Sequence, residues 1–214
     1  VGCEQAVDND VLLKALSYGI EARVWPESDD PPDIAVLGAA RFVVGGYLAG
    51  ANLGRDPDQA LGELLARAEE LEPTEPELEC AAEIERAAQD RGLELDGGES
   101  QLAAMALERG FQTLETGDKR AIAALEQLTT EVGALADLAG RLRCLEQIVH
   151  RLASQEEFDF LASAICGAPA VDKSLTICFS CHSGGAGQDS ALEALLQYIE
   201  EVRGQAPKLL EAGP

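Results

Sequence analysis

Residues 93–128 read "LELDGGESQLAAMALERGFQTLETGDKRAIAALEQL", and their order decides the fold class. Asp96 and Glu99 stand before an apolar run with helical period, which predicts a helix over 99–109 with Gly110 as its stop. "FQTLET" (111–116) is short, β-branched and apolar, so it predicts a strand, and "GDKRAIAALEQL" predicts a helix from 118. Helix, strand and helix in this order are part of a βαβ crossover, the unit that builds a parallel sheet.

Working outward, the same alternation recurs. "VGCEQAV" (1–7) reads as a strand and "DNDVLLKALSYG" (8–19) as a helix, with Val11, Leu12, Ala15 and Leu16 on one stripe and Gly19 just past its end. "WPESDDPPD" (25–33) reads as a loop. "IAVLGAARFVVGGYLAGANL" (34–53) is apolar and long enough to suggest a membrane span, but Arg41 and the small residues favour a strand running into a helix, or one buried helix. "RDPDQALGELLARAEEL" (55–71) predicts an amphipathic helix capped by Asp56 or Asp58. "EPELECAAEIERAAQDRG" (75–92) predicts another, with Leu78, Ala81, Ala82 and Ile84 inward and Gly92 as the stop. Residues 135–154 and 156–165 read as helices, 174–180 as a strand, 189–204 as a final helix, and 205–214 as a loose tail. The class is α/β.

Composition bounds the function. The chain has 214 residues, 46% of them hydrophobic, enough for one good core. Its 39 acidic and 16 basic residues give a net charge of −23. That sign excludes a broad basic surface for nucleic acid and suits a protein that gathers divalent cations or meets a basic partner. Six cysteines, at positions 3, 80, 144, 166, 178 and 181, are too sparse for a disulfide scaffold. "VGCEQAVDND" lacks the charge and greasy run of a signal peptide. Together these predict reduced thiols, a cytoplasmic location and no membrane contact.

"CFSCH" (178–182) has the spacing of c-type haem attachment and half the ligands of a zinc site. In a strand over 174–181, residues i and i+3 point to opposite faces, so Cys178 and Cys181 would not converge on haem or metal. Met105, the one Met, is explained as core, so no haem is expected. Zinc would require Cys178, Cys181 and His182 with a fourth ligand such as Cys166. Structural or redox thiols are the simpler reading.

The acids at element ends are the stronger chemical signal. Asp8 and Asp118 follow two strands, at the carboxyl edge where open α/β sheets bind ligands, and Asp96 and Glu99 open the helix between. Converging carboxylates repel one another and call for a cation, and oxygen-only ligation selects Mg²⁺ or Mn²⁺. Each acid has a plain alternative: Asp8 or Asp10, Glu99 and Asp118 can cap or charge the first turn of a helix.

"VDNDVLLKAL", "LDGGESQLAAMALERG" and "TLETGDKRAI", taken together, resemble the PIN-domain nuclease family over roughly residues 1–125. The resemblance implies a three-layer α/β fold, a central, mainly parallel sheet flanked by helices. It places a PIN-like domain at 1–143, with 144–214 as a helical and strand extension packed on the same core. It implies a Mg²⁺- or Mn²⁺-dependent ribonuclease in which Asp8, Glu99 and Asp118 are catalytic and Asp8, Asp96, Glu99 and Asp118 hold metal. Thr116 and Lys119 would contact an RNA substrate, and a basic protein partner or a homodimer is a further expectation. One family acid has no counterpart, since "VLGAARFVV" after the second predicted strand carries no carboxylate; Glu79 or Glu83 could substitute. That departure motivates a second reading, a PIN-like fold without catalysis that serves binding or regulation. A third reading is a metal or redox protein built on "CFSCH".

Overall fold

A computed structural model describes residues 3–26, 34–49, 56–155 and 158–214. Val1, Gly2 and the stretches 27–33, 50–55 and 156–157, which hold most of the expected loop at 25–33 and parts of the elements expected from 34 and 156, lie outside the described residues. Five strands form one parallel sheet: β1 (Gln5–Val7), β2 (Ile34–Leu37), β3 (Ala68–Leu71), β4 (Thr113–Thr116) and β5 (Leu142–Cys144), in the order β3-β2-β1-β4-β5. The α/β class and the three-layer arrangement follow directly. β2 and β5 are buried throughout, as strands covered on both faces must be.

On one face, Val7, Ile34 and Val36 meet α1 (Asn9–Tyr18), α3 (Ala40–Leu48), α4 (Pro57–Leu65) and α8 (Leu145–Ala153). That layer also holds the short α2 (Glu21–Val24), α9 (Phe158–Gly167) and α10 (Lys173–Cys178). On the other face, Ala6, Ala35, Leu37 and Leu114 pack against α5 (Glu75–Arg91), α6 (Gly97–Arg109) and α7 (Lys119–Leu128). α11 (Gln188–Gln205) serves both layers: Ala191 and Leu195 lie in the first core, Ile199 and Val202 in the second.

Local chemistry sets the helix ends. Gly19 adopts φ 67°, and its amide closes onto the carbonyls of Ala15 and Leu16. Left-handed backbone of this kind favours glycine. Thr74 and Glu77 form a reciprocal capping box at the start of α5.

Several expected elements are corrected. Residues 34–48 form a strand running into a helix, and no helix among the described residues is long and apolar enough to cross a membrane. The helix expected over 55–71 ends at Leu65, and "AEEL" becomes β3, pairing in register with β2 from Ile34↔Ala68 to Leu37↔Leu71. Its middle residues, Glu69 and Glu70, point to opposite faces and are both exposed, as charged residues on an edge strand can be. β5 interrupts the helix expected over 135–154. On α5, Ala81 and Ile84 are buried as expected, but Leu78 and Ala82 are exposed. The expected strand at 174–180 is instead α10 and a turn: Asp172 caps the helix through the Leu175 amide. The tail is not loose. Leu209 and Leu210 are buried, and the Leu142 amide donates to the Leu209 carbonyl while Glu211 donates back to Leu142. The tail thereby covers the open edge of β5.

A buried ion pair ties β4 to β5. Glu115 and Arg143 are register partners, and the guanidinium donates to the Glu115 carboxylate at 2.9 Å while the Trp25 indole donates at 3.0 Å. Arg143 also clasps Glu211 of the tail. Burial pushes the Glu115 carboxyl up, against the pull of Arg143 and Trp25. Truncating Arg143→Ala strands this carboxyl in the core, so urea unfolding should show a loss of about 3–5 kcal/mol. Glu115→Gln keeps the shape but offers one acceptor oxygen to two donors, Arg143 and Trp25, so one of them loses its partner; with Arg143 still paired to Glu211, it should cost less than Arg143→Ala.

Candidate functional site at the switch point of the sheet

The strand order reverses direction between β1 and β4: one half of the sheet grows outward through β2 and β3, the other through β5. In a parallel α/β sheet the chain leaves a crevice at the carboxyl ends of the two strands flanking such a reversal. Asp8 follows β1, and Thr116 ends β4 with Asp118 two residues on. The backbone makes them neighbours, since β1 and β4 pair from Gln5↔Thr113 to Val7↔Glu115 and the Asp8 amide donates to the Glu115 carbonyl at 2.9 Å.

The Thr116 hydroxyl donates to Asp8 Oδ2 at 3.3 Å and accepts from the Asp118 amide at 3.3 Å, so it couples the two acids. Glu99, on the first turn of α6, completes a small cleft with Asp8 and Thr116, floored by Leu102, Leu114 and Leu125. Glycine 117 matters here. A Cβ at that position would lie 2.0 Å from Asp10 Oδ2, so only glycine lets the Asp10 carboxylate fold over the β4–α7 turn. Lys14 holds Asp10 there at 2.6 Å and reaches Asp172 at 2.9 Å.

The acids are crowded. Asp8 is 8% exposed, and burial, then the charge of Asp10, pushes its carboxyl up to about 6. Glu99 is pushed up to about 8, first by burial and then by Asp96, Asp118 and Asp8, against a hydrogen bond from the Asp96 amide. Asp118 goes the other way: burial raises it, but the Arg120 guanidinium and its own helix amides hold it below the usual carboxylate range.

Every one of the expected metal ligands also caps a helix. Asp8 Oδ1 accepts from Asn9, Asp96 Oδ1 from Glu99, Glu99 Oε2 from Asp96, and Asp118 Oδ1 from Arg120 and Ala121. The donor chemistry fits a hard divalent ion, with oxygen ligands only and with like charges pressed together. The side chains as they lie do not enclose one: among the described residues no three His, Cys, Asp or Glu groups are arranged to hold a metal. Lys119 turns away from the cleft, donating to Ser174 at 2.8 Å and pairing with the buried Glu146. Glu79 and Glu83 lie on α5, and α3 starts without a carboxylate.

Lys14 and Asp172 escaped the reading of the sequence, and Asp10 entered it only as an acid that could cap the first helix. Asp10 and Lys14 are an i, i+4 pair on a helix, legible in hindsight, but Asp172 joins them only through tertiary packing. The "CFSCH" reading is corrected in part: Cys181 is bonded to Cys166, so these two thiols are not free, while Cys178 is a buried thiol pushed up to about 12 by burial.

The Asp8 shift has a thermodynamic sign. The folded state holds the Asp8 proton more tightly than the unfolded chain, so this carboxyl costs no stability below pH 3.8. Its penalty grows as pH rises from 3.8 to about 6 and stays complete above it. Asp8→Asn keeps a good helix cap but removes the charge. Thermal unfolding should therefore show it more stable than the parent at pH 8, by at most about 3 kcal/mol, and level with it near pH 4. No protein-family model, curated protein or solved structure matches the chain.

Proposed function

We propose that the protein is a PIN-like, Mg²⁺- or Mn²⁺-dependent ribonuclease that works at the crevice between β1 and β4. The supporting observation is the meeting of Asp8, Asp96, Glu99 and Asp118 there, from three separate parts of the chain, against a cleft with an apolar floor. Asp8 and Glu99 would be the central ligands, with Asp96 and Asp118 at the flanks. When bound, such an ion supplies Lewis acidity toward a water and toward the phosphate oxygens. Thr116 orients Asp8 through its hydroxyl, and Leu102, Leu114 and Leu125 keep the floor dry, which strengthens every charge interaction above them. The caps use one oxygen of each carboxylate, Oδ1 of Asp8, Asp96 and Asp118 and Oε2 of Glu99, so the second oxygens are the ones an ion would take, with Arg120 the competitor at Asp118. Arg120, exposed beside Asp118, is a cation that an RNA phosphate could draw from its pairing with Asp118 and Glu94.

A second reading is a binding module without catalysis, whose acidic surface takes a basic protein segment. It is favoured by the Asp118–Arg120 pairing and by the missing carboxylate at the start of α3.

The two readings separate on one preparation. Cleavage of a fluorescent single-stranded RNA is measured with Mg²⁺, Mn²⁺ and EDTA, alongside the thermal midpoint. The nuclease reading expects metal-dependent cleavage, a midpoint raised by Mn²⁺, and a loss of about a hundredfold in rate, equivalent to about 2.7 kcal/mol of barrier, for both Asp8→Asn and Glu99→Gln. A midpoint indifferent to both ions, with RNA left intact, removes it.

A further inference from the structure

The segment between α9 and α11 lies beside the crevice and is closed by a covalent bond. Cys166, in α9, is joined to Cys181 across 15 residues, and the loop so formed contains α10. Both cysteines are partly exposed, so a reductant can reach them. Inside this loop lie two groups that hold the lysines flanking the crevice. Asp172 pairs with Lys14, which in turn grips Asp10 over Gly117; Ser174 accepts from Lys119, the residue after Asp118.

The inner side of the loop is packed: Leu175, Cys178 and Phe179 are buried, and the Phe179 ring stacks on Phe158 at 5.8 Å. Ser180 takes a left-handed φ of 50°, the sole described non-glycine residue to do so, one position before the bonded Cys181. Such a backbone costs energy and persists where its surroundings hold it in place. The disulfide is one such constraint, and the amides of Ser183 and Gly185, both bonded to the Ser180 carbonyl, are another.

We propose that the Cys166–Cys181 disulfide is a redox latch: oxidised, it holds α10 against the crevice so that Asp172 and Ser174 add a second hold on Lys14 and Lys119; reduced, it withdraws those two contacts and leaves Lys14 to Asp10 and Lys119 to Glu146 alone. The reductant is a dithiol. Its two thiols become a disulfide, and two electrons and two protons pass to the sulfurs of Cys166 and Cys181 as their mutual bond breaks. Closing a loop of this length withdraws entropy mainly from the opened state, so reduction favours opening of the segment without requiring the sheet to unfold. Cys178 is buried and lies outside the exchange. The latch does not depend on whether the crevice cuts RNA.

The test uses the full chain with and without dithiothreitol. Amine labelling read by mass spectrometry compares Lys14 and Lys119 with Lys208, which is exposed and lies outside the loop. Hydrogen exchange is followed over 173–179. Reduction should raise the labelling rates of Lys14 and Lys119 severalfold with Lys208 unchanged, and should speed exchange across 173–179 by about tenfold or more. The Cys166→Ser, Cys181→Ser double variant should match the reduced chain with or without reductant. Unchanged lysine labelling and exchange on reduction, or a peptide map of the oxidised chain without a 166–181 cross-link, overturns the proposal. RNA cleavage plays no part in the readout, so failure of the latch and failure of the nuclease reading are distinguishable.

Discussion

The parallel pairing of β1 with β4 is the constraint on which the rest depends. It joins residues more than a hundred positions apart, and it inserts the first strand between two halves of a sheet that grow in opposite directions. Because Asp8 is the first residue past β1, the backbone bond from its amide to the Glu115 carbonyl places this acid beside the β4–α7 turn. Everything at the crevice follows from that placement. Thr116 reaches Asp8, Gly117 leaves room for Asp10, and the first turn of α6 brings Glu99 over the same opening.

The crevice is therefore a place where the same carboxylates cap helices and crowd one another. Helix capping spreads the carboxylates among three N-termini, those of α1, α6 and α7, satisfying amides that have no partner within their helix. Burial, and after it mutual repulsion, pushes Asp8 and Glu99 toward their neutral forms. A cation would relieve the repulsion, and Arg120 already does part of that work at Asp118. Elsewhere in the fold a buried carboxylate is answered by a neighbouring cation. Glu115, buried among strands, is answered by Arg143 and Trp25, and Glu77 by Arg109, which holds its carboxyl down to about 2 together with the Thr74 amide.

Beyond β5, the chain does more than extend the sheet. α8 and α11 fill both cores, the tail covers the sheet edge, and the loop around α10 reaches back to the acids through Lys14 and Lys119. The overall charge of −23 makes these two lysines scarce resources near the crevice, and both are engaged by acids.

Much of this was legible in the residues alone. The α–β–α order of 93–128, the stripe of Val11, Leu12, Ala15 and Leu16, the stops at Gly19, Gly92 and Gly110, and the caps at Asp118 and at Asp56, one of two candidates there, are local facts, written in periodicity and in the hydrogen-bonding reach of short side chains. β3 and β5 were not legible. A three- or four-residue strand is too short to show a period, and "AEEL" and "LRC" become strands only because a neighbour offers its open edge. The helical fate of 173–178 was hidden for a related reason: β-branched Thr176 and Ile177 favour a strand locally, and the Asp172 cap and the packing of Phe179 override them. The sequence determined which residues could be ligands, caps or thiols, because those are properties of side chains. Which of them meet was decided by the tertiary structure, because the crossing of β1 between β2 and β4, and the bond from Cys166 to Cys181, are relations between distant points that no local pattern encodes.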